Sequence, residues 1–282
     1  MIRISEMVFP GHPDKFCDQI ADSVVNLCKK VDPLAYCQVE VSVWSDQVWL
    51  SGGLVTRRKL PVSLRDLVVK TGRDVGYKGG NWVDAKKYQV TSTVSEQVGD
   101  PRPWTGKVND QCIAVGYAGY DERTHYLPPE HFLAHVLRLS VIDSFKTGLL
   151  KKQGPDGKLM VRMREEPDGW IVEHVLITLQ QKERTEFLDF CGCIEQTLKG
   201  AYNAVIAADH RWRKKWEDVE ISINPNGPLL NGGSDGDNGQ TGRKLVMDFY
   251  GPRIPIMAPH PSRHHTLTIP YLKDAPHRWK PG

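Results

Sequence analysis

Residues 11–50 read GHPDKFCDQIADSVVNLCKKVDPLAYCQVEVSVWSDQVWL, and this stretch indicates the fold class. Apolar residues recur at helical spacing over residues 13–30, which predicts an amphipathic helix. Residues 36–44 then alternate between apolar and polar, and a turn at residues 45–46 leads into a second extended run. The stretch therefore predicts a helix followed by a β-hairpin.

Single helices and hairpins continue along the rest of the chain. Helices are predicted at 63–75, 128–150 and 185–209, strands at 159–163, 170–180, 219–224 and 244–250, and turns at 154–157 and 167–169. Because this order lacks a regular β-α alternation, the pattern favours an α+β fold over a doubly wound parallel sheet.

The composition excludes several classes of protein. The 282 residues are 40% apolar and 25% charged, and the net charge is only +3, so we expect no nucleic-acid partner. Glu173 interrupts even the apolar stretch 170–179, and the N-terminus has no apolar signal region, so we expect neither a membrane span nor secretion. Six cysteines without a C-x-x-C pair predict reduced thiols and a cytoplasmic protein.

Acidic and basic side chains begin the first predicted helix. Asp14 follows His12 and precedes Lys15, so a carboxylate there can hold Mg²⁺ while the imidazole or the ammonium faces a phosphate. Asp18 and Asp22 continue the same helical face, and we interpret them as acids that complement the helix dipole.

A glycine-rich stretch at residues 226–244 reads NGPLLNGGSDGDNGQTGRK. Its six glycines in 16 residues let the backbone approach a ligand closely, and Arg243 and Lys244 supply cations for phosphate. The order Gly242-Arg243 does not fit a P-loop, and a Ca²⁺-binding turn at Asp235 and Asp237 remains the alternative. The stretch predicts a Mg²⁺–polyphosphate site.

Three segments taken in order resemble the S-adenosylmethionine synthetase family: GHPDKFCDQIAD (11–22), NDQCIAVGYA (109–118) and INPNGPLLNGGSDGDNGQTGRKLVMDFYG (223–251). The resemblance implies repeated α/β domains with mixed or antiparallel sheets covered by helices, and an incomplete third domain. The implied units are an N-terminal domain (1–98), a central domain (109–226), the start of a C-terminal domain with a glycine-rich phosphate loop and a strand (227–256), and an irregular Pro/His-rich tail (257–282).

The implied activity is methionine adenosyltransfer. Methionine sulfur attacks the ribose C5′ of ATP, the triphosphate leaves, and the bound triphosphate is cleaved to pyrophosphate and phosphate. The resemblance also implies Mg²⁺ and K⁺ as cofactors, and a homodimer or higher homo-oligomer with active sites between two subunits.

Matching motif positions imply the individual roles. The implied catalytic residues are His12, near the C5′–O5′ bond, and the triphosphate binders Lys158, Arg243 and Lys244, and the implied metal ligands are Asp14 for Mg²⁺ and Glu40 for K⁺. The resemblance further implies ATP contacts for Asp110 and Asp237 and methionine contacts for Gln97 and Asp237, and we also expect Lys15 to bind ATP.

Some positions depart from the family pattern. Leu54 stands where the family commonly has a methionine-binding glutamate, and Asn109 and Cys112 replace glycines. After Ile256 the similarity ends. Two alternatives therefore remain open: a catalytically impaired nucleotide-binding or subunit-interaction protein derived from this family, and a tripolyphosphatase remnant.

Overall fold

Two four-stranded sheets organise the residues that the computed structural model describes, which are 1–106, 115–119, 121–182 and 186–254. In chain order the elements are β1 (Ile2–Val8), α1 (Pro13–Val31), β2 (Tyr36–Trp44), β3 (Gln47–Thr56), α2 (Leu64–Val75), β4 (Gln89–Val98), α3 (Arg102–Thr105), α4 (Pro129–Thr147), β5 (Gln153–Glu166), β6 (Gly169–Gln181), α5 (Phe187–Ala208), β7 (Glu220–Ile223), β8 (Gly239–Gln240) and α6 (Leu245–Asp248).

The first sheet has the strand order β1-β5-β6-β7. β5 pairs antiparallel with both β1 and β6, and β7 pairs parallel with β6. Apolar residues of β5 and β6 pack with those of α4 and α5 in one core, which also includes Phe9. The N-terminal strand therefore belongs to a sheet whose other strands follow residue 152.

The second sheet has the order β4-β3-β2-β8. β2 and β3 form the antiparallel hairpin, β4 lies parallel to β3, and β8 pairs antiparallel with β2 at Ser42 and Val43. Valines of β2 pack with α1 and α2 in a second core. Because β8 comes from the glycine-rich stretch, this pairing places residues 239–244 beside the start of α1.

These mixed sheets and helices confirm the predicted α+β class. The helix at 13–30 and the following hairpin are observed, and α2 and α5 lie within the predicted ranges. The domain boundaries at 98, 109 and 226 stay a prediction, and the tail 257–282 lies outside the described residues.

Two local predictions were wrong. Residues 154–157 were predicted as a turn but form the start of β5. The Pro155 carbonyl accepts the Gly11 N–H and the Gly157 carbonyl accepts the Phe9 N–H, so the segment pairs with the chain that follows β1. A strand was predicted at 244–250, but this range contains the short helix α6. Leu245 of α6 is buried and Asp248 is ion-paired. In both places tertiary contacts outweigh the local signal.

Among the described residues, no helix has both the length and the apolar character that a membrane span requires. The five cysteines within those ranges are free thiols, and Cys112 lies outside them.

Gly239 in β8 lies directly against the Pro13 peptide group. A Cβ atom at Gly239 would lie 2.3 Å from the carbonyl carbon and oxygen of Pro13, so Gly239→Ala must displace β8 or the start of α1. We expect a loss of about 1–3 kcal/mol in the free energy of unfolding, measured by urea denaturation.

Gly192→Ala is the matched control, because a Cβ there has no neighbour within 4 Å and lies inside α5. We expect this control to be neutral or to stabilise by up to about 1 kcal/mol. Equal stabilities of Gly239→Ala and the wild-type protein would contradict the close approach of β8 to α1.

Candidate active site

His12 caps the N-terminus of α1. Its Nδ1 accepts a hydrogen bond from the Asp14 N–H at 3.3 Å, and Pro13 occupies the first turn, where no N–H is needed. Burial lowers the pKa of His12; Asp156 and Asp14 oppose this effect, and Lys244 and Lys158 add to it. The imidazole is therefore neutral near pH 7, with its proton on Nε2.

Asp14 is almost fully buried and is surrounded by donors from the glycine-rich stretch. Its Oδ1 accepts the N–H of Gln240 at 3.0 Å, and its Oδ2 accepts Lys244 Nζ at 2.7 Å. Arg243 Nη1 lies 3.4 Å from Oδ1. One carboxylate thus holds the two cations that the sequence predicts as triphosphate binders.

Residues 241–242 are fixed by two further acids. Gly242 N–H donates to Asp18 Oδ1 at 2.9 Å, and the Thr241 hydroxyl donates to Glu40 Oε2. The Thr241 N–H also bonds to the carbonyl of Val41 at 3.0 Å. The backbone before Arg243 and Lys244 is therefore held in place from both α1 and β2.

The other end of the glycine-rich stretch is held by Asp156 and Tyr77. Gly233 N–H donates to Asp156 Oδ2 at 2.8 Å, and Ser234 N–H donates to the Tyr77 hydroxyl at 3.2 Å. That hydroxyl donates to the Gly11 carbonyl at 2.6 Å, so the loop contacts the segment that leads into α1. Burial raises the pKa of Asp156, although the Gly233 N–H and His12 oppose the shift.

The structure brings most of the predicted site residues together around the start of α1. They are His12, Asp14, Lys15, Lys158, Asp237, Arg243 and Lys244. Glu40 joins them through Thr241. Their chemical roles stay predictions, and Asp110 lies outside the described residues.

Gln97 is not part of this cluster. It is exposed and lies opposite Val55 of β3, which lies opposite Tyr36 of β2. β8 joins β2 six residues further on, at Ser42, which corresponds to about 20 Å along the strand. Within one chain Gln97 is therefore at the opposite end of the second sheet.

Sequence reasoning missed three acids of the site: Asp18, Asp156 and Asp248. Asp18 had a usable signal, because it follows Asp14 by four residues and so lies on the same helical face. Asp156 was hidden in a predicted turn. Asp248 lay within a predicted strand, and nothing local showed that it would reach Lys15.

The donor set fits a metal only in part. In the stretches described, no three His, Cys, Asp or Glu side chains are grouped so that they could hold a metal ion by themselves. Mg²⁺ is often bound by one or two carboxylates together with substrate phosphates, and Asp14 beside two phosphate-binding cations fits that mode. Glu40 Oε1 is buried and has no hydrogen-bond partner among the described residues, so a monovalent cation fits there.

The exposure of the cations indicates where an anion can bind. The side chains of Arg243, Lys158 and Lys244 are 50%, 47% and 24% exposed; Lys158 and Lys244 lie near the neutral His12, and Arg243 contacts Asp14. Helix N-termini also attract anions. The arrangement can therefore bind a polyphosphate at the start of α1.

Comparison with known proteins gives one consistent family. The family model described as S-adenosylmethionine synthetase, N-terminal domain, matches residues 1–99, and the model of the central domain matches residues 105–229.

Similar curated proteins carry the corresponding name. The chain is 32% identical to S-adenosylmethionine synthase 1 of Rhodospirillum rubrum over 262 residues, which cover 88% of this chain and 64% of the relative. It is 32% identical to S-adenosylmethionine synthase of Thermus thermophilus over 275 residues, covering 89% and 66%. It is 29% identical to S-adenosylmethionine synthase of Staphylococcus epidermidis over 267 residues, covering 88% and 64%.

The chain spans about two thirds or slightly less of the length of these relatives. Both family models match in chain order and together cover most of the described residues. The chain therefore belongs to the S-adenosylmethionine synthetase family.

Proposed function

We propose that this chain is a methionine adenosyltransferase, which forms S-adenosylmethionine from ATP and L-methionine and releases phosphate and pyrophosphate. The observation that carries the proposal is the contact of Arg243 and Lys244 with Asp14, beside the neutral His12. The names of the relatives support the same reaction.

The electrostatics of the site suit this chemistry. A thioether sulfur is already neutral and nucleophilic, so the first step needs alignment and stabilisation of the leaving group more than a strong base. Arg243, Lys244 and Lys158 are placed to bind the negative charge that builds up on the triphosphate. His12, neutral and with a proton on Nε2, can donate a hydrogen bond to the departing oxygen without adding charge.

Two cations complete the proposed site. Asp14 would hold Mg²⁺ together with substrate phosphates, and Glu40 would hold K⁺ through the oxygen that lacks a protein partner. When bound, these ions would neutralise negative charge on the triphosphate. Asp14 and Glu40 also fix the backbone at Gln240 and the hydroxyl of Thr241, so they orient the residues that precede Arg243.

The proposed partner is a second copy of the chain, bound through the face of the second sheet that is turned away from α1. Alternate residues of β2, β3 and β4 on this face are mostly Gln, Ser and Thr, and Glu40 is the one charged side chain among them. Trp44 and Trp49 are 51% and 42% exposed there. Few charges and exposed aromatics are typical of the centre of a protein interface. A partner on this face would also cover Gln97.

One observation favours a second candidate function. Leu54 is 2% exposed and packs in the core beneath the second sheet, so this position offers no carboxylate to an amino-acid substrate. A protein that binds nucleotide, or cleaves tripolyphosphate, without using methionine is the alternative that this residue supports.

The direct test is product formation. We expect the purified protein with ATP, L-methionine, Mg²⁺ and K⁺ to yield S-adenosylmethionine. We expect Lys244→Gln to lower kcat/KM about a hundredfold, because one donor to the developing oxyanion is removed. Lys70→Gln, which removes an exposed lysine paired with Asp74, is the control and should retain wild-type activity.

A folded protein that forms no S-adenosylmethionine would contradict the proposal. Release of phosphate from tripolyphosphate without methionine, in the absence of S-adenosylmethionine formation, would favour the second candidate.

Substitution of Asp14 should change the affinity for tripolyphosphate differently in EDTA and in Mg²⁺. In EDTA, Asp14→Asn frees Arg243 and Lys244 from their carboxylate, so we expect it to bind tripolyphosphate about tenfold more tightly than the wild-type protein. With Mg²⁺ we expect the variant to lose the gain in affinity that Mg²⁺ gives the wild type. Isothermal titration calorimetry measures both.

Asp74→Asn is the matched control, because it removes the same charge from an exposed ion pair with Lys70. It should bind tripolyphosphate like the wild type in both buffers. If Asp14→Asn bound tripolyphosphate more weakly than the wild type in EDTA, the account of Asp14 as the group that occupies both cations would be wrong.

The proposed dimer predicts the effect of a charge on its face. We expect the wild-type protein to sediment as a dimer at micromolar concentration and Trp44→Glu to shift it to monomer, because the new carboxylate would be desolvated in the interface. Leu188→Glu, on α5 and 82% exposed, should leave the dimer intact. A wild-type monomer, or a Trp44→Glu variant that remains dimeric, would contradict this interface.

A further inference from the structure

Lys15 differs from the other cations of the site because its ammonium group is already paired with two carboxylates. Its Nζ lies 2.6 Å from both Asp248 oxygens and 2.9 Å from Asp18 Oδ2. An ammonium group has three N–H donors, and three carboxylate oxygens lie within reach of them. The side chain is only 11% exposed, against 50% for Arg243.

Charge and burial both keep Lys15 in this place. Burial by itself lowers the pKa of Lys15, but Asp248 and Asp18 outweigh it, so the net shift of the pKa is upward. Lys15 therefore remains charged and paired at neutral pH. Moving it toward a phosphate would leave the largely buried Asp248 without its lysine, which is costly for a buried carboxylate.

The partners of Lys15 also contact the phosphate-binding segment. Asp18 accepts the Gly242 N–H through its second oxygen at 2.9 Å, and Asp248 ends α6, four residues after Lys244. Through Asp18 and Asp248, Lys15 therefore connects α1 to the residues before and after Arg243 and Lys244. Arg138, whose Nε donates to the Val8 carbonyl at 2.6 Å, is a second cation near Asp248. Its charge opposes the rise that burial causes in the pKa of Asp248.

We propose that Lys15 is a positioning residue and not a phosphate ligand: its ion pairs with Asp248 and Asp18 hold Arg243 and Lys244 at the start of α1. This inference rests on the proposed function, because it assigns a role within the same polyphosphate site. It replaces the ATP-binding role that the sequence predicts for Lys15.

The experiment is a double-mutant cycle with inorganic tripolyphosphate and Mg²⁺, measured by calorimetry on the full chain. The variants are Lys15→Met, Asp248→Leu and the double variant. Lys15→Met leaves Asp248 and Asp18 without their cation, and Asp248→Leu leaves Lys15 with one carboxylate instead of two, so we expect each single change to weaken tripolyphosphate binding about tenfold or more. The double variant leaves only Asp18 without its cation, and Asp18 still accepts the Gly242 N–H, so we expect the double variant to bind tripolyphosphate more tightly than Lys15→Met.

A direct phosphate contact predicts a different pattern. Asp248→Leu would then release the Lys15 ammonium toward the ligand and leave the affinity unchanged or higher, and the double variant would be as weak as Lys15→Met. That pattern would overturn the inference. Lys15→Arg, which can still pair with both carboxylates, should bind within about threefold of the wild type, and a loss as large as that of Lys15→Met would also overturn it.

A control separates positioning from loss of stability. Arg253→Met breaks the ion pair with buried Glu130 in the first turn of α4 and touches none of the partners of Lys15, so it should lower the unfolding temperature and leave tripolyphosphate affinity within twofold. If Arg253→Met weakened binding as much as Lys15→Met, the effect of Lys15 would be one of general stability and the inference would fail. A wild-type protein that does not bind tripolyphosphate would instead contradict the proposed function itself.

Discussion

The carboxylates of Asp14 and Asp18 accept the N–H groups of Gln240 and Gly242, and this docking of the glycine-rich stretch on α1 determines the geometry of the site. Both acids lie on one face of the helix, one turn apart, and they accept N–H groups two residues apart where β8 passes into a turn. Gly239 permits the approach because it has no side chain against Pro13. The positions of Arg243 and Lys244 follow from these contacts.

The same docking places opposite charges in contact. Three acids (Asp14, Asp18 and Asp248) and three cations (Lys15, Arg243 and Lys244) are paired with one another at the start of α1. An ion pair of this kind contributes little net stability, since the cost of removing both charges from water offsets their attraction. The value of the Lys15 pairs is positional: through Asp18 and Asp248 they hold the segment that carries Arg243 and Lys244 before a ligand arrives, so less ordering is required when one binds.

Much of this arrangement was predictable from local signals. The helix at 13–30 and the hairpin after it follow from apolar spacing. The structure places Asp14 of the GHPDK segment against Gln240 and Lys244 of the glycine-rich segment, and their shared role in a site stays a prediction. Asp248 and the start of β5 were not predictable, because their structure depends on pairing with residues more than 140 positions away. Lys15 shows the same limit, since its sequence neighbours suggest a ligand and only the fold reveals the two carboxylates beside it.

The docking itself can be measured by hydrogen exchange at the amides of Gln240 and Gly242 in the ligand-free protein. We expect both amides to be protected at least a hundredfold relative to an unstructured chain, because each donates to a carboxylate next to α1. We also expect Asp18→Asn to reduce the protection at Gly242. Exchange of both amides at unstructured rates in the wild-type protein would contradict the account.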